Sequence, residues 1–366
     1  MTSFRKCLYA VLILQTMRAE NLSQNITGPV SAGGDDSVRQ VQLAIRKLQD
    51  WYNPQTGLWI KTGWWNSANA LTVLIDFSKA THTSQFESVV ARTYEANVRG
   101  GFLNQYYDDE GWWALAWIDA YDLTHNPAYL GTAATIFDDM THGWDGTCGG
   151  GLWWSKRRHY KNAIANELFL SVAAHLADHF GDQPKRKEYV AWAEREWNWF
   201  RHSGMIERDG LISDGLNSQC KDNHGRKWSY NQGVILGGLA ELSLIRGERG
   251  TLREARRIVG AAISTLVNSD GILRDPCEPK CNGDATQFKG IFMRNLALLN
   301  ERVPNAQYAQ FILRNAESIL ANDQGPSHSF GVGWSGPPGT ANPSTQSSAI
   351  DALVAAIQVR TPRGLQ

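Results

Sequence analysis

The chain has 366 residues, enough for one large domain or two ordinary ones, and its 42% hydrophobic and 20% charged content can support a substantial core. Lysine plus arginine equals aspartate plus glutamate at 36 each, so charge makes no case for nucleic acid or an acidic membrane as a partner. Fifteen tryptophans are the compositional outlier.

Residues 1–19 read as a secretory signal. Arg5 and Lys6 precede an apolar stretch from Cys7 to Met17 that is too short to span a bilayer, and Ala19 offers a cleavage position. Two glycosylation sequons follow, Asn21-Leu22-Ser23 and Asn25-Ile26-Thr27, so 20–34 is expected to be a glycosylated N-terminal segment carrying sugar on Asn21 and Asn25. Residues 361–366 show no hydrophobic tail. A freely secreted protein, extracellular or associated with a cell wall, monomeric and without stable membrane insertion, is the expectation. Removing the signal leaves Cys148, Cys220, Cys277 and Cys281, which in an oxidising compartment suggest disulfides with three possible full connectivities. A bridge from Cys220 to Cys277 or Cys281, joining two loops, is expected, with Cys148 a free thiol beneath Gly149 to Gly151; a local Cys277–Cys281 bridge is also sterically possible. Neither a Cys-x-x-Cys pair nor paired histidines accompany these cysteines, so no metal and no other cofactor is expected.

From Asp35 to about residue 360 the pattern is helical and repetitive, and one catalytic domain is expected over 35–360. The first run, Asp35 to Tyr52, places Val38, Val41, Ile45, Leu48 and Tyr52 on one face. Further runs begin near Trp64, Thr83, Glu110, Pro127, Lys161, Pro184, Trp228, Leu252, Asp284, Pro304 and Ser344, with prolines at first-turn positions in several. Sustained alternation is almost absent, so strands should be short and confined to loops. Connections after the even-numbered runs are short, which makes antiparallel hairpins. Those after the odd-numbered runs are long: 53–63, 99–109, 141–160, 203–227, 269–283 and 322–343. Long loops inside a compact domain are usually functional. Six hairpins with every long loop at one end describe an all-α toroid, an (α/α)6 barrel, whose even-numbered runs are interior and odd-numbered runs exterior.

Ten tryptophans fall in those long loops or the turn after them, namely Trp59, Trp64, Trp65, Trp112, Trp113, Trp144, Trp153, Trp154, Trp228 and Trp334. A carbohydrate cleft would account for that clustering. Asp108 and Asp109 stand at one loop-to-helix junction among Tyr106, Tyr107, Trp112 and Trp113. Helix capping needs one acid, whereas a pair beside aromatics suits acid/base work on a sugar; both readings stand on this window alone.

The motifs WWNSAN at 64–69, YYDDEGWWALAWIDAYDLT at 106–124, WDGTCGGGLWW at 144–154, YKNAIANELFL at 160–170, YNQGVILGGL at 230–239 and FKGIFMRNL at 288–296 together resemble glycoside hydrolase family 76, the endo-α-1,6-mannanases, and in particular its fungal secreted branch. The resemblance runs from about residue 35 to 358. It implies an (α/α)6 barrel and retaining hydrolysis of α-1,6-mannan, with Asp108 as nucleophile and Asp109 as acid/base. A retaining enzyme needs its two carboxyl groups about 5–5.5 Å apart, and like charges so close help keep one of them protonated. Asn66, Asn69, Asn162, Asn166, Asn231 and Gln232 stand at inner-helix starts, suited to gripping sugar hydroxyls or to local capping. Trp65, Trp112, Trp153, Trp154 and Tyr107 are candidate sugar platforms or loop wedges. Gly149 to Gly151 let backbone approach the cleft or take positive φ. The second acid pair, Asp138 and Asp139, reads as a solvated face of an outer helix.

Some fungal relatives of this kind carry a lipid-anchor signal and are thought to link anchored proteins to wall glucan, which makes a transglycosidase using the same aspartates the alternative function. A silent glycan-binding toroid is the competing class, and retention of both aspartates argues against it.

Overall fold

The computed structural model describes residues 36–360 apart from 182, 183 and 248, so the signal, both sequons and the C-terminal residues 361–366 lie outside the described residues. Twelve α-helices run along the described residues. They are α1 (Asp36–Gln49), α2 (Trp64–Thr81), α3 (Glu87–Asn97), α4 (Tyr107–Thr124), α5 (Pro127–Thr141), α6 (Ala163–His179), α7 (Pro184–Phe200), α8 (Ser229–Arg246), α9 (Arg249–Thr265), α10 (Phe288–Arg302), α11 (Ala306–Ser318) and α12 (Pro343–Arg360).

The even-numbered helices form a closed inner ring. Helix α2 packs on α4, α4 on α6, α6 on α8, α8 on α10, α10 on α12, and α12 returns to α2. Their sequences explain the placement. In α6, α8 and α12 small and apolar residues cover every face, so long stretches such as Ala163–Ala174 and Pro343–Ile357 are buried without a break. Helices α1, α9 and α11 instead carry one apolar stripe and a polar face, as an outer layer requires; α1 buries only Val41, Ala44, Ile45 and Leu48.

Local signals set the hairpins. Asn126 caps α5 by accepting from the Ala128 N–H at 3.1 Å, with Pro127 in the first turn, and Asn305 caps α11 through the Gln307 N–H. His82 and His125 end α2 and α4 in the left-handed conformation, at φ 51° and 56°. The strands are two residues long and lie in loops: Tyr52–Asn53 pairs with Leu58–Trp59, and Gln324–Gly325 with Ser329–Phe330. The six hairpins, the inner and outer rings and the loop-borne strands are as expected. No helix among the described residues is long and apolar enough to cross a membrane.

The disulfides correct the expectation. Cys148 bonds to Cys220 and Cys277 to Cys281, so Cys148 is not a free thiol and no bridge joins Cys220 to the α9–α10 loop. The reason is how the α7–α8 loop returns: Leu216 donates to Lys161 O at 2.9 Å and Ala163 to Asp214 O at 2.8 Å, which lays it along the end of the α5–α6 loop. Cys220 is thereby carried to Cys148.

Candidate active site

Helix α4 begins three residues before the expected start, at Tyr107, so Asp108 and Asp109 are its second and third residues. Tyr106, at the cap position, is extended and makes no side-chain cap. Successive helical residues diverge by about 100°, so the two carboxylates fan out from one point at the positive end of an inner helix. Asp108 Oδ1 accepts from the Asp109 N–H at 3.1 Å and its Oδ2 from the Trp154 indole at 2.9 Å. Asp109 Oδ2 accepts from Asn104 Nδ2 at 2.6 Å. Capping describes part of what Asp108 does and nothing of what Asp109 does.

Burial, then the charge of Asp109, pushes the Asp108 carboxyl well above the usual carboxylate range. Burial likewise raises Asp109 to about 6, with Asp284 adding to the rise and Asn104 opposing it. Two carboxyls so placed resist carrying two negative charges and titrate as a pair. Asp108 accepts two hydrogen bonds, the pattern of an anion, while Asp109 accepts one.

Aromatic side chains from the first turns of the inner helices wall this pair. Trp65 stacks on Trp112 with centroids 5.7 Å apart and meets Phe288 at 6.2 Å; Phe288 lies flat on Tyr230 at 3.7 Å and edge-on to Trp228. Asp284 accepts from the Trp65 indole at 3.0 Å. Across the pair, Trp154 and Tyr106 pack at 4.9 Å and are the two exposed rings of the rim, at 37% and 40%. Beyond Trp154, Tyr160 donates to Asp214 at 2.6 Å and accepts from Asn223 at 2.8 Å.

The other expected residues are distributed between cleft and scaffold. Tyr107 is buried, with Gly143 against its ring and the Lys156 ammonium 5.6 Å from its centroid. Trp153 donates to Asp145 at 2.8 Å and lies under Lys161, which locks it into its own loop. Of the ten tryptophans that suggested a cleft, Trp59, Trp112, Trp113 and Trp334 are core residues.

The amides mostly hold loops. Asn166 accepts from the Leu152 N–H and donates to the Leu152 carbonyl, and Gln232 does the same to Ile212. Asn162 caps α6 through the Ala165 N–H. Asn66 accepts from the Gly63 N–H and donates to Gln287; Asn69 accepts from Arg294 at 2.6 Å. Asn231 alone among them is buried with neither amide atom bonded to another described residue.

Gly149, Gly150 and Gly151 all take positive φ, and the close approach that Gly150 and Gly151 permit is to Trp199 rather than to the cleft. Asp138 is exposed as expected, but Asp139 pairs with Lys156 at 2.8 Å.

Sequence reasoning missed Asn104, Lys156, Lys161 and Asp145. Lys161 is 2% exposed, and its ammonium bonds to the carbonyls of Thr147, Gly150 and Gly151 and to Asp145. Burial opposes ionisation of Asp145, yet the Trp153 indole and Lys161 hold it well below the usual range. A lysine directly preceding the Asn162 cap was the one available signal. Among the described residues, one group, Glu207, Asp222 and His224, brings potential metal-ligand atoms within 4.8 Å of one another; Lys227 already bonds to Glu207 there.

The model of glycosyl hydrolase family 76 matches residues 39–363. The mannan endo-1,6-alpha-mannosidase DFG5 of Candida albicans is 26% identical over 405 aligned positions, covering 98% of this chain and 86% of that protein. The mannan endo-1,6-alpha-mannosidase DCW1 of the same organism is 28% identical over 304 positions, covering 74% of this chain and 66%, just under two thirds, of its own length. Among solved structures, an alpha-1,6-mannanase of Salegentibacter, inactivated by replacing two consecutive aspartates and bound to alpha-1,6-mannotriose, superposes with a TM-score of 0.81 at 22% identity, covering 88% of this chain and 99% of that one.

Proposed function

The chain belongs to glycosyl hydrolase family 76, and from that premise we propose that it is a secreted, retaining endo-α-1,6-mannosidase that cuts α-1,6-mannan backbones through a covalent glycosyl-aspartate. The observation that carries this is the aspartate pair opening α4, each member with its own donor, inside an aromatic-walled cleft. Asp108 attacks the anomeric carbon while Asp109 gives its proton to the departing glycosidic oxygen. Asp109, now an anion, then takes a proton from water, which attacks the same carbon and frees Asp108. Two hydrogen bonds on Asp108 suit the nucleophile and the single donor on Asp109 suits the proton carrier; burial raises both carboxyls, so these contacts assign the roles while the raised pair keeps one proton between its members. Trp154, Tyr106 and Trp65 offer ring faces for pyranose stacking, with buried Trp112 backing Trp65, while most of the amides hold the loops that present them. Secretion and glycosylation at Asn21 and Asn25 are part of the proposal, supported by the signal-like segment and the sequons.

Incubation with linear α-1,6-mannan, with products read by size and anomeric configuration, tests the reaction. Internal cleavage with retained α configuration is expected, and water should remain the main acceptor when a second sugar is added. Asp108→Asn and Asp109→Asn should each fold and lose nearly all turnover on unactivated mannan; wild-type rates in either variant would overturn the assignment.

A further inference from the structure

The two aspartates draw their side-chain donors from different loops, and the structure stitches those loops together. Asp108 is held by Trp154 of the α5–α6 loop and Asp109 by Asn104 of the α3–α4 loop. Between them the backbones pair antiparallel: Tyr107 donates to Trp154 O at 2.9 Å, Lys156 donates to Gln105 O at 3.0 Å, and Tyr106 faces Ser155. The Lys156 side chain then returns to the helix. Its ammonium lies 2.8 Å from Glu110 Oε1 and 2.8 Å from Asp139 Oδ2. Glu110, fully buried, uses the same oxygen to accept the Asn104 backbone N–H at 3.1 Å. The Asn104 Oδ1 is occupied by the Tyr106 N–H at 2.7 Å, which leaves its NH2 group aimed at Asp109.

We propose that Asn104 and Lys156 are positioning residues for the aspartate pair, Asn104 by orienting Asp109 directly and Lys156 by fixing, through Glu110 and the paired backbones, the donors of both aspartates at once. The inference rests on the reading of Asp108 and Asp109 as the catalytic pair. Lys156 contacts neither aspartate, so its effect on turnover travels through the groups it holds. A displacement of either donor by about 1 Å is enough to lower turnover by roughly a hundredfold when the reacting groups must be prealigned. The charged groups that face Asp109 are Asp108 from its own helix and Asp284 from the α9–α10 loop; those that face Glu110 are Lys156 and Asp139. An amide donor favours the ionised form of Asp109, so losing it raises the pH at which Asp109 gives up its proton.

Asn104→Ala, Lys156→Met and Lys156→Arg are compared with the wild type on α-1,6-mannotetraose, at a temperature where thermal melts show all four folded. In Asn104→Ala and Lys156→Met, kcat is expected to fall about 10–100-fold with KM within about twofold, and Lys156→Arg to recover most of that loss. In Asn104→Ala the alkaline limb of the pH profile moves to higher pH. Carbon-13 titration of the aspartate carboxyls, with Asp109 identified by Asp109→Asn, reads the same upward shift without any substrate. Wild-type kcat and pH profile in Lys156→Met, with only a lower melting temperature, would reduce Lys156 to a structural staple and overturn its part. An unmoved Asp109 titration in Asn104→Ala would overturn the other. Failure of the wild type to cleave the substrate would overturn the mannosidase reading instead, and the substrate-free titration still decides the role of Asn104.

Discussion

Removing one disulfide should cost the fold far more than removing the other. Cys148 and Cys220 are 72 residues apart in sequence, whereas Cys277 and Cys281 are separated by 4. A cross-link restricts the unfolded chain by an entropy that grows with the logarithm of the loop it closes. At 25 °C that relation gives about 4.4 kcal/mol for the long loop and about 1.9 kcal/mol for the short one. The double variant Cys148→Ala with Cys220→Ala should therefore lose about 2.5 kcal/mol more than Cys277→Ala with Cys281→Ala. For a domain of about 325 residues, an unfolding entropy near 2.1 cal/mol/K per residue turns the larger loss into a melting-temperature drop of about 6 °C. Urea unfolding of the oxidised protein and both double variants, compared through midpoints at constant slope, measures the difference. The Trp199 indole donates to the backbone carbonyl of Cys148, a contact that survives either substitution and leaves the local fold a second anchor. Equal losses, or a larger loss from the short bridge, would show that native contacts rather than loop closure set the contribution of these bonds.

Three further outcomes follow from the geometry. Lys161→Met leaves three carbonyls and Asp145 without the buried ammonium that serves them and should cost about 3–5 kcal/mol in urea unfolding; a loss below about 1 kcal/mol would refute the clamp. Because the proton donor must hold its proton in the first step and burial raises Asp109 to about 6, kcat/KM should decline as pH rises through about 6 and beyond, and a flat profile from about 5 to 9 would contradict the assignment. Burial lowers the His179 pKa, but its 2.6 Å contact with Asp122 raises it more, leaving it at about 8. The folded value lies above the unfolded one near 6.5, so this stabilisation is full below about 6.5 and disappears as pH rises through about 8; discounted for partial exposure it amounts to about 1 kcal/mol. His179→Gln should flatten that segment of the stability–pH curve, and an unchanged curve would remove His179 as its source.

Sequence by itself determined the architecture and pointed to the pair. Helical periodicity and alternating loop lengths are local properties, written within a few residues of each other, so twelve helices, their inner and outer assignment and the end that carries the long loops were all legible. Adjacent aspartates among aromatics were legible for the same reason. What the loops do to one another is not local, and only the tertiary structure decided it. Cys148 meets Cys220 because the α7–α8 loop pairs with the chain around Lys161, a contact between segments more than fifty residues apart. Asn166 and Gln232 hold Leu152 and Ile212 because each amide faces a backbone N–H and carbonyl delivered by a preceding loop, whereas their sequence context suits a sugar hydroxyl equally well. Lys156 carries no local signal, standing in sequence simply beside Arg157 and Arg158. Its part in the site arises only where the fold brings Glu110 and Asp139 to the same ammonium, since a charge acquires its meaning from the groups burial places around it.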